Sequence, residues 1–196
     1  MSTPRRDSPH RRVFDMGREM AMDFFFEQGM NYYTSPPLDV GMVESAERQL
    51  GVKLPRAYLE ILRVQNGGVP FRRCCYTDFP TSWSEDHFAI AAVRGIGGSW
   101  GIDAQVGGSR YLIKEWGLPD IGVVAFRTPS GGHDAVMLDY SSAVQPDSPR
   151  IVYLDDDRVV HPIADSFEAF IDRLVRCEDC LDVARLAWLA IRLSTR

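Results

Sequence analysis

The chain has 196 residues, of which 45% are hydrophobic and 25% are charged, with a net charge of −5 at pH 7. This composition is that of a globular domain large enough to bury a hydrophobic core. The acidic balance disfavours non-specific nucleic-acid binding, and the lack of an apolar run of about 18 residues disfavours a membrane span. No apolar stretch follows the basic start of the chain, so we expect a cytoplasmic protein with reduced thiols.

The first forty residues contain three kinds of segment. Residues 1–12 are rich in Pro, Ser and Arg and poor in apolar side chains, which predicts a disordered basic tail. From Val13 to about Glu27 we predict a helical stretch in which the phenylalanines at 24–26 pack inward. Two consecutive prolines then break the chain between Thr34 and Asp39, and Asp39 is the predicted N-cap of the next helix.

Two short helices follow, separated by a Gly and a Pro. Apolar residues recur at helical spacing between Val43 and Leu50, and Gly51 suits the left-handed position that ends a helix. Pro55 fits the first position of a second helix, which Asn-Gly-Gly at 66–68 ends. The segment does not have the pattern of a phosphate-binding loop, because no Lys-Ser/Thr follows the glycines and no strand precedes them.

The middle of the chain changes to a strand pattern. Short turn clusters bound five β-branched or apolar runs, at 87–97, 121–126, 135–140, 150–155 and 158–163. Because the turns between them are short, we predict antiparallel hairpins in preference to βαβ units.

Helices complete the predicted fold. One short helix is predicted from Arg110, with Gly117 just past its end. Another has Asp165 as its N-cap, with Glu168 reaching back in a capping box, and ends near Arg176. Residues 178–193 predict an amphipathic helix that either completes the core or makes a dimer contact. The fold class that follows is α+β, with a single twisted, mainly antiparallel sheet and flanking N-terminal and C-terminal helices.

Three motifs occur in order along the chain. They are helix–Gly-x-x-Leu-Pro–helix–Asn-Gly-Gly within 44–70, Gly-His-Asp at 132–134 and Leu-Asp-Tyr at 138–140. Together they resemble the SUKH superfamily, which includes yeast regulators of cell-wall synthesis and bacterial immunity proteins. The resemblance covers roughly Phe24 to Arg176, and it implies an α+β fold that acts by binding another protein, without established catalytic residues.

The resemblance sets our functional expectations. We expect a non-enzymatic protein-binding module, foremost an immunity or antitoxin-type protein that neutralises a toxin domain encoded nearby. The alternative is a regulatory or scaffold module in signalling or cell-envelope synthesis. We expect a protein partner, no nucleic acid, no membrane and no cofactor, and a monomer or weak dimer. The expected domains are the tail 1–12, a SUKH-like domain 13–176 and a helical extension 177–196.

Two polar clusters supply the candidate partner contacts. The segment 82–87 surrounds a Trp with acids, which is typical of an aromatic interface anchor; the alternative is a capped turn whose Trp covers the sheet edge. The second cluster follows the glycine turn at 131–132. A general acid/base role for His87 is disfavoured, because no nucleophile lies nearby in the sequence. A metal site at His133 and Asp134 is disfavoured, because adjacent strand residues point to opposite faces. The predicted contacts are Trp83, Glu85, Asp86, His87, His133, Asp134 and Asp139.

Four cysteines, Cys74, Cys75, Cys177 and Cys180, could supply four thiolates to a zinc ion. The vicinal spacing of the first pair is poor for chelation, and the second pair lies in helix-like sequence. We therefore expect structural thiols and no metal. The acids at 155–157 lack the Glu that closes a calcium loop, so they predict a hairpin turn.

Overall fold

A computed structural model describes residues 25–143 and 145–180. The predicted tail 1–12, most of the predicted helix from Val13 to Glu27 and the extension beyond residue 180 lie outside the described residues. At the end of that predicted helix, residues 25–27 are not helical, although Phe26 is buried as expected.

Four helices and eight strands have both ends within the described ranges. The helices are α1 Val40–Leu50, α2 Arg56–Val64, α3 Ser109–Trp116 and α4 Phe167–Arg173. The strands are β1 Cys74–Tyr76, β2 His87–Ala89, β3 Ala92–Val93, β4 Gly122–Val123, β5 Phe126–Arg127, β6 Ala135–Asp139, β7 Arg150–Leu154 and β8 Val160–Ala164. Among the described helices, none is both long and apolar enough to cross a membrane.

The ends of the early helices follow from local sequence. The Asp39 carboxylate accepts a hydrogen bond from the N–H of Met42 at 2.8 Å, which confirms Asp39 as the N-cap of α1. Gly51 ends α1 with φ 74° and donates its N–H to Glu47 O at 2.8 Å. The second helix begins one residue later than predicted, with Pro55 as its N-cap.

The predicted capping box at α4 is wrong by one residue. Ser166, not Asp165, is the N-cap, and its hydroxyl accepts from the N–H of Ala169 at 3.2 Å. Since α4 starts at Phe167, Glu168 is too early in the helix to reach back to the cap. The helix also ends at Arg173, before the predicted Arg176, because the next residues become extended.

The strands are antiparallel throughout, and the α+β class is confirmed. They form three small sheets, β1–β2, β3–β5 and β4–β6–β7–β8, where we expected one continuous sheet. The division arises because the chain changes neighbours within a predicted strand. The N–H of Ile90 donates to Arg73 O beside β1, whereas the N–H of Ala91 donates to Arg127 O in β5. Strand β1 was not predicted.

Alternate residues of β6 and β7 face two different cores. Val136, Leu138 and Tyr153 belong to the larger core with α1, α2 and α4. Met137 and Val152 belong to a smaller core covered by α3. Both faces of the central strands β6 and β7 are therefore buried, which leaves the edges, ends and connecting loops of this sheet for function.

The Asn-Gly-Gly motif does more than end α2. The buried amide of Asn66 donates to Pro36 O at 2.5 Å and to Ile96 O at 2.8 Å, and it accepts from Ile96 N at 2.8 Å. A Cβ on Gly67 would lie 2.7 Å from Gly95 N, so only glycine permits this close backbone approach. We call Asn66 with Pro36, Ile96, Gly67 and Gly95 the Asn66 corner; it joins α2 to the chain on both sides.

Candidate functional site

Three loops meet at one end of the four-stranded sheet, where β6 begins, β7 ends and β8 begins. They are 77–86, 128–134 and 155–159. The hydroxyl of Ser82 donates to Asp134 Oδ2 at 2.7 Å, and Arg158 Nη1 donates to His133 O at 3.0 Å. Hydrogen bonds from side chains therefore connect the second loop, 128–134, to each of the other two.

A buried carboxylate holds the first two loops to the sheet. Asp134 is only 1% exposed, and its Oδ2 accepts from Ser82 Oγ and, at 2.8 Å, from the hydroxyl of Tyr153. Its Oδ1 accepts from Ser130 Oγ. Burial raises the pKa of Tyr153 to about 12, so the phenol remains a donor at neutral pH. We call Asp134 with Ser82, Ser130 and Tyr153 the Asp134 anchor.

Next to this anchor, Trp83 points outward. The residue is 50% exposed, and its backbone N–H donates to Thr81 Oγ1 at 3.2 Å within a tight turn. The exposed charged residues of the three loops, His133 apart, are acidic. We call the following set the Trp83 surface: Trp83, Glu85, His133, Asp156 and Asp157.

Three of the remaining predicted contacts are buried, whereas Asp86 is partly exposed in the first loop. Asp134 is the buried centre of the anchor, and Asp139 is fully buried at the opposite end of β6. Asp139 accepts from Arg150 Nε at 2.7 Å and from Ser141 N at 2.8 Å. Burial acts to raise the pKa of Asp139, but these donors outweigh it and hold the pKa below its usual range. Both carboxylates therefore have structural roles, which corrects the expectation that they contact a partner directly.

His87 also turns inward. It is buried, and its Nδ1 lies 2.8 Å from Asp86 Oδ1, a hydrogen bond that lowers the pKa of Asp86. The structure places the ring beside Cys74 and Cys180. His133, in contrast, is exposed, with its Nδ1 3.3 Å from Asp156 Oδ1.

Two of the four cysteines form a disulfide, which differs from the expectation of reduced thiols. Cys74 and Cys177 are bonded, and Cys75 and Cys180 are buried free thiols. The pairing depends on Val175, whose N–H donates to Cys74 O at 2.8 Å and so brings the chain after α4 alongside β1. Burial raises the pKa of the Cys75 thiol to about 11 and also raises that of Cys180.

Sequence analysis missed an aromatic cluster on another part of the surface. The guanidinium of Arg127 lies 5.0 Å from the ring centroids of both Tyr33 and Trp100, and Tyr32 packs against both rings. Tyr32 is 67% exposed. The sequence signals were a tandem Tyr before the prolines and a Trp within a Gly-rich loop. We call these four residues the aromatic–arginine cluster.

An open cleft of about 630 Å³ lies where the Gly-x-x-Leu-Pro junction faces the end of β6. Its polar groups already bind one another: Lys53 Nζ lies 2.5 Å from Glu47 Oε2, and the Tyr140 hydroxyl donates to Lys53 O at 2.7 Å. Burial raises the pKa of Tyr140, so this phenol stays protonated. The cleft is thus lined by paired groups and contains none of the predicted contact residues.

Comparison with known families matches residues 37–173 to the model of the SMI1 / KNR4 family (SUKH-1). No curated protein matches the chain. The matched range covers more than half of the 196 residues and includes all the helices and strands named above and the Trp83 surface, while Cys177 and Cys180 lie beyond it. The chain therefore belongs to the SMI1/KNR4 (SUKH-1) family, a family of protein-interaction domains.

Proposed function

We propose that this protein is a non-enzymatic binding module of the immunity type, which neutralises a partner toxin through the Trp83 surface. The observation that carries the proposal is the half-exposed indole of Trp83 beside the buried Asp134 anchor. Interface hot spots are enriched in Trp, and a loop held in place before binding loses less conformational freedom when the complex forms.

The charges around Trp83 suggest the chemistry of the partner. Glu85, Asp156 and Asp157 are exposed at this end of the sheet, and the whole chain carries a net charge of −5. An acidic surface accelerates association with a basic one and favours the correct orientation. The partner we propose is a toxin domain with a basic surface, present in the cytoplasm with this protein.

The proposal of a non-enzymatic role has support from the histidines. His87 faces the interior, and His133 is paired with Asp156 at the surface. In the cleft beside Tyr140, the Lys and Glu side chains bind one another. Neutralisation by covering the toxin does not require any of these groups to react, because it needs only a surface complementary to that of the toxin.

Co-expression with the product of the neighbouring gene tests the proposal. We expect protection from toxicity and a complex recovered by affinity purification. In binding measurements, Trp83→Ala should raise the Kd about 30-fold, as expected for an interface anchor worth about 2 kcal/mol. Tyr32→Ala is the matched control, because it also truncates an exposed aromatic but lies on another surface. Absence of both protection and complex would refute the immunity role, whereas a complex that tolerates Trp83→Ala would refute only the surface.

The aromatic–arginine cluster favours a second candidate function. A chain with two separate exposed aromatic surfaces suits a regulatory or scaffold module that binds two partners. In that case Tyr32→Ala would abolish one interaction and Trp83→Ala the other, in pull-downs analysed by mass spectrometry. A toxin-like neighbour whose toxicity this protein suppresses would argue against it.

A further inference from the structure

Three ligand side chains from distant parts of the chain converge beneath β1 and β2. The Sγ atoms of Cys74 and Cys180 and a ring nitrogen of His87 all lie within 4.8 Å of one another, and all three residues are buried. A fourth ligand, Cys177 Sγ, is bonded to Cys74. We propose that these four residues bind a zinc ion as a Cys₃His site when the disulfide is reduced. We call them the Cys₃His cluster.

The spacing fits a tetrahedral zinc site after small movements. Zn–S bonds of about 2.3 Å and Zn–N bonds of about 2.0–2.1 Å place the ligand atoms roughly 3.5–3.8 Å apart. The ligand atoms of Cys74, His87 and Cys180 already lie within 4.8 Å of one another. Opening the disulfide lets the sulfurs of Cys74 and Cys177 separate to that spacing. Rotation of side chains in a reduced protein can therefore complete the coordination.

The backbone explains why these residues meet. In the β1–β2 ladder Cys74 is opposite Ala89 and Tyr76 is opposite His87, so Cys74 and His87 lie on one face. Cys75 points to the other face, into the larger core. Vicinal spacing thus does not prevent chelation, because only one cysteine of the pair takes part.

The second pair has a spacing typical of zinc ligands. Cys177 and Cys180 are separated by two residues, which is the Cys-x-x-Cys arrangement of many structural zinc sites. The hydroxyl of Tyr76 donates to Asp179 O at 3.2 Å and holds this turn against β1. Thiolate and imidazole ligands in an apolar pocket favour Zn²⁺ over Mg²⁺ or Ca²⁺, which prefer oxygen ligands.

Asp86 supplies the partner that a zinc-bound His requires. Its Oδ1 lies 2.8 Å from His87 Nδ1, which leaves Nε2 as the ring nitrogen available for the metal. A carboxylate in this position fixes the tautomer and the orientation of a ligating imidazole.

Formation of the site is a balanced two-electron step followed by metal binding. A dithiol reductant transfers two electrons and two protons to the Cys74–Cys177 disulfide and itself becomes a disulfide. The protein then has three thiols in the cluster. Zn²⁺ displaces their three protons and takes neutral His87 as the fourth ligand. Oxidation by a disulfide or diamide reverses the sequence and releases the metal.

Metal titration of the reduced full chain tests the proposal. We expect one equivalent of Zn²⁺, measured by elemental mass spectrometry after removal of free metal. With Co²⁺, thiolate-to-cobalt charge-transfer bands and the strong visible bands of a tetrahedral site should develop, and diamide should abolish them. A reduced, folded chain that binds no zinc, or whose Co²⁺ spectrum lacks thiolate bands, would overturn the proposal.

Variants separate the site from general folding effects. Cys180→Ser and His87→Ala should each eliminate stoichiometric binding, whereas Cys75→Ala should retain it, since Cys75 faces the other core. Asp86→Asn should weaken binding about 10–100-fold through the imidazole. Circular dichroism establishes that each variant is folded. Equal losses in the Cys75 and Cys180 variants would contradict the assignment of ligands. These results are independent of the toxin assay, so either proposal can fail alone.

Discussion

The Asn66 corner and the Asp134 anchor both bury a polar side chain, yet they hold different kinds of structure. The amide of Asn66 binds only backbone atoms, those of Pro36 and Ile96. The carboxylate of Asp134 accepts from three side-chain hydroxyls. The first arrangement connects backbone segments of the core, whereas the second fixes loops on which exposed residues are displayed.

This difference predicts that the two side chains contribute to different properties, Asn66 to the stability of the core and Asp134 to the arrangement of the loops. Removal of a side chain that binds backbone atoms leaves several buried peptide groups without a hydrogen-bond partner. A side chain that binds hydroxyls leaves behind groups that can rotate toward one another or toward water. Loss of the Asp134 anchor should therefore disturb the Trp83 surface more than the core.

The largest expected effect is that of Asn66→Ala. It leaves the N–H of Ile96 and the carbonyls of Pro36 and Ile96 without their partner, so we expect the free energy of unfolding to fall by about 4 kcal/mol. Denaturant titration followed by circular dichroism measures it. The matched control is Asn31→Ala, at an exposed position, which should change stability by less than about 0.5 kcal/mol. Similar effects of the two changes would refute the importance of the corner.

Asp134→Ala ranks next. The change leaves the hydroxyls of Ser82 and Tyr153 without a buried acceptor, and we expect a loss of about 3 kcal/mol. Unlike the Asn66 change, it should increase amide hydrogen exchange mainly in 81–86, measured by mass spectrometry. Asp156→Ala, at an exposed carboxylate, is the control. Uniform loss of protection across the sheet would show that the anchor belongs to the core.

Asp139 is a third buried polar side chain, and unlike Asn66 and Asp134 it binds a charged side chain, that of Arg150. Its pKa in the folded protein lies below that of an unfolded Asp, about 3.9, so its ionised form stabilises the fold above about pH 4. That stabilisation is lost as the pH falls through the folded pKa. We expect Asp139→Asn to cost about 2 kcal/mol at pH 7, and the difference from the wild type to shrink toward pH 3. Urea titrations over this range measure it; a difference independent of pH would contradict the ionic contribution of Arg150.

Much of the fold could be predicted because its signals are local. The cap at Asp39, the left-handed glycines after α1 and α3, and the start of α3 within one residue all depend on neighbouring residues. Binary patterns likewise placed β6 and β7, whose side chains alternate between two cores. Strand β1 was missed because a three-residue strand has too short a pattern to recognise.

The candidate sites could be predicted only in part, because they depend on contacts distant in sequence. Trp83 and Glu85 were recognised as exposed loop residues, whereas the burial of Asp134 requires Tyr153 from another strand. The link between Cys74 and Cys177 spans 103 residues. The Cys-x-x-Cys spacing could be recognised in the sequence. Whether these cysteines meet Cys74 depends on the face of β1 that Cys74 occupies, and no local pattern shows that face.

Trp83→Ala should have the smallest effect on stability, and it completes the comparison. Trp83 is half-exposed, so we expect the free energy of unfolding to change by less than about 0.5 kcal/mol. Binding to a partner should still weaken strongly, since recognition depends on the group that the fold does not need. Denaturant titration and calorimetric binding on the same preparations measure the two effects. A large loss of stability would instead show that the Trp covers the sheet edge, and the surface would then belong with the core.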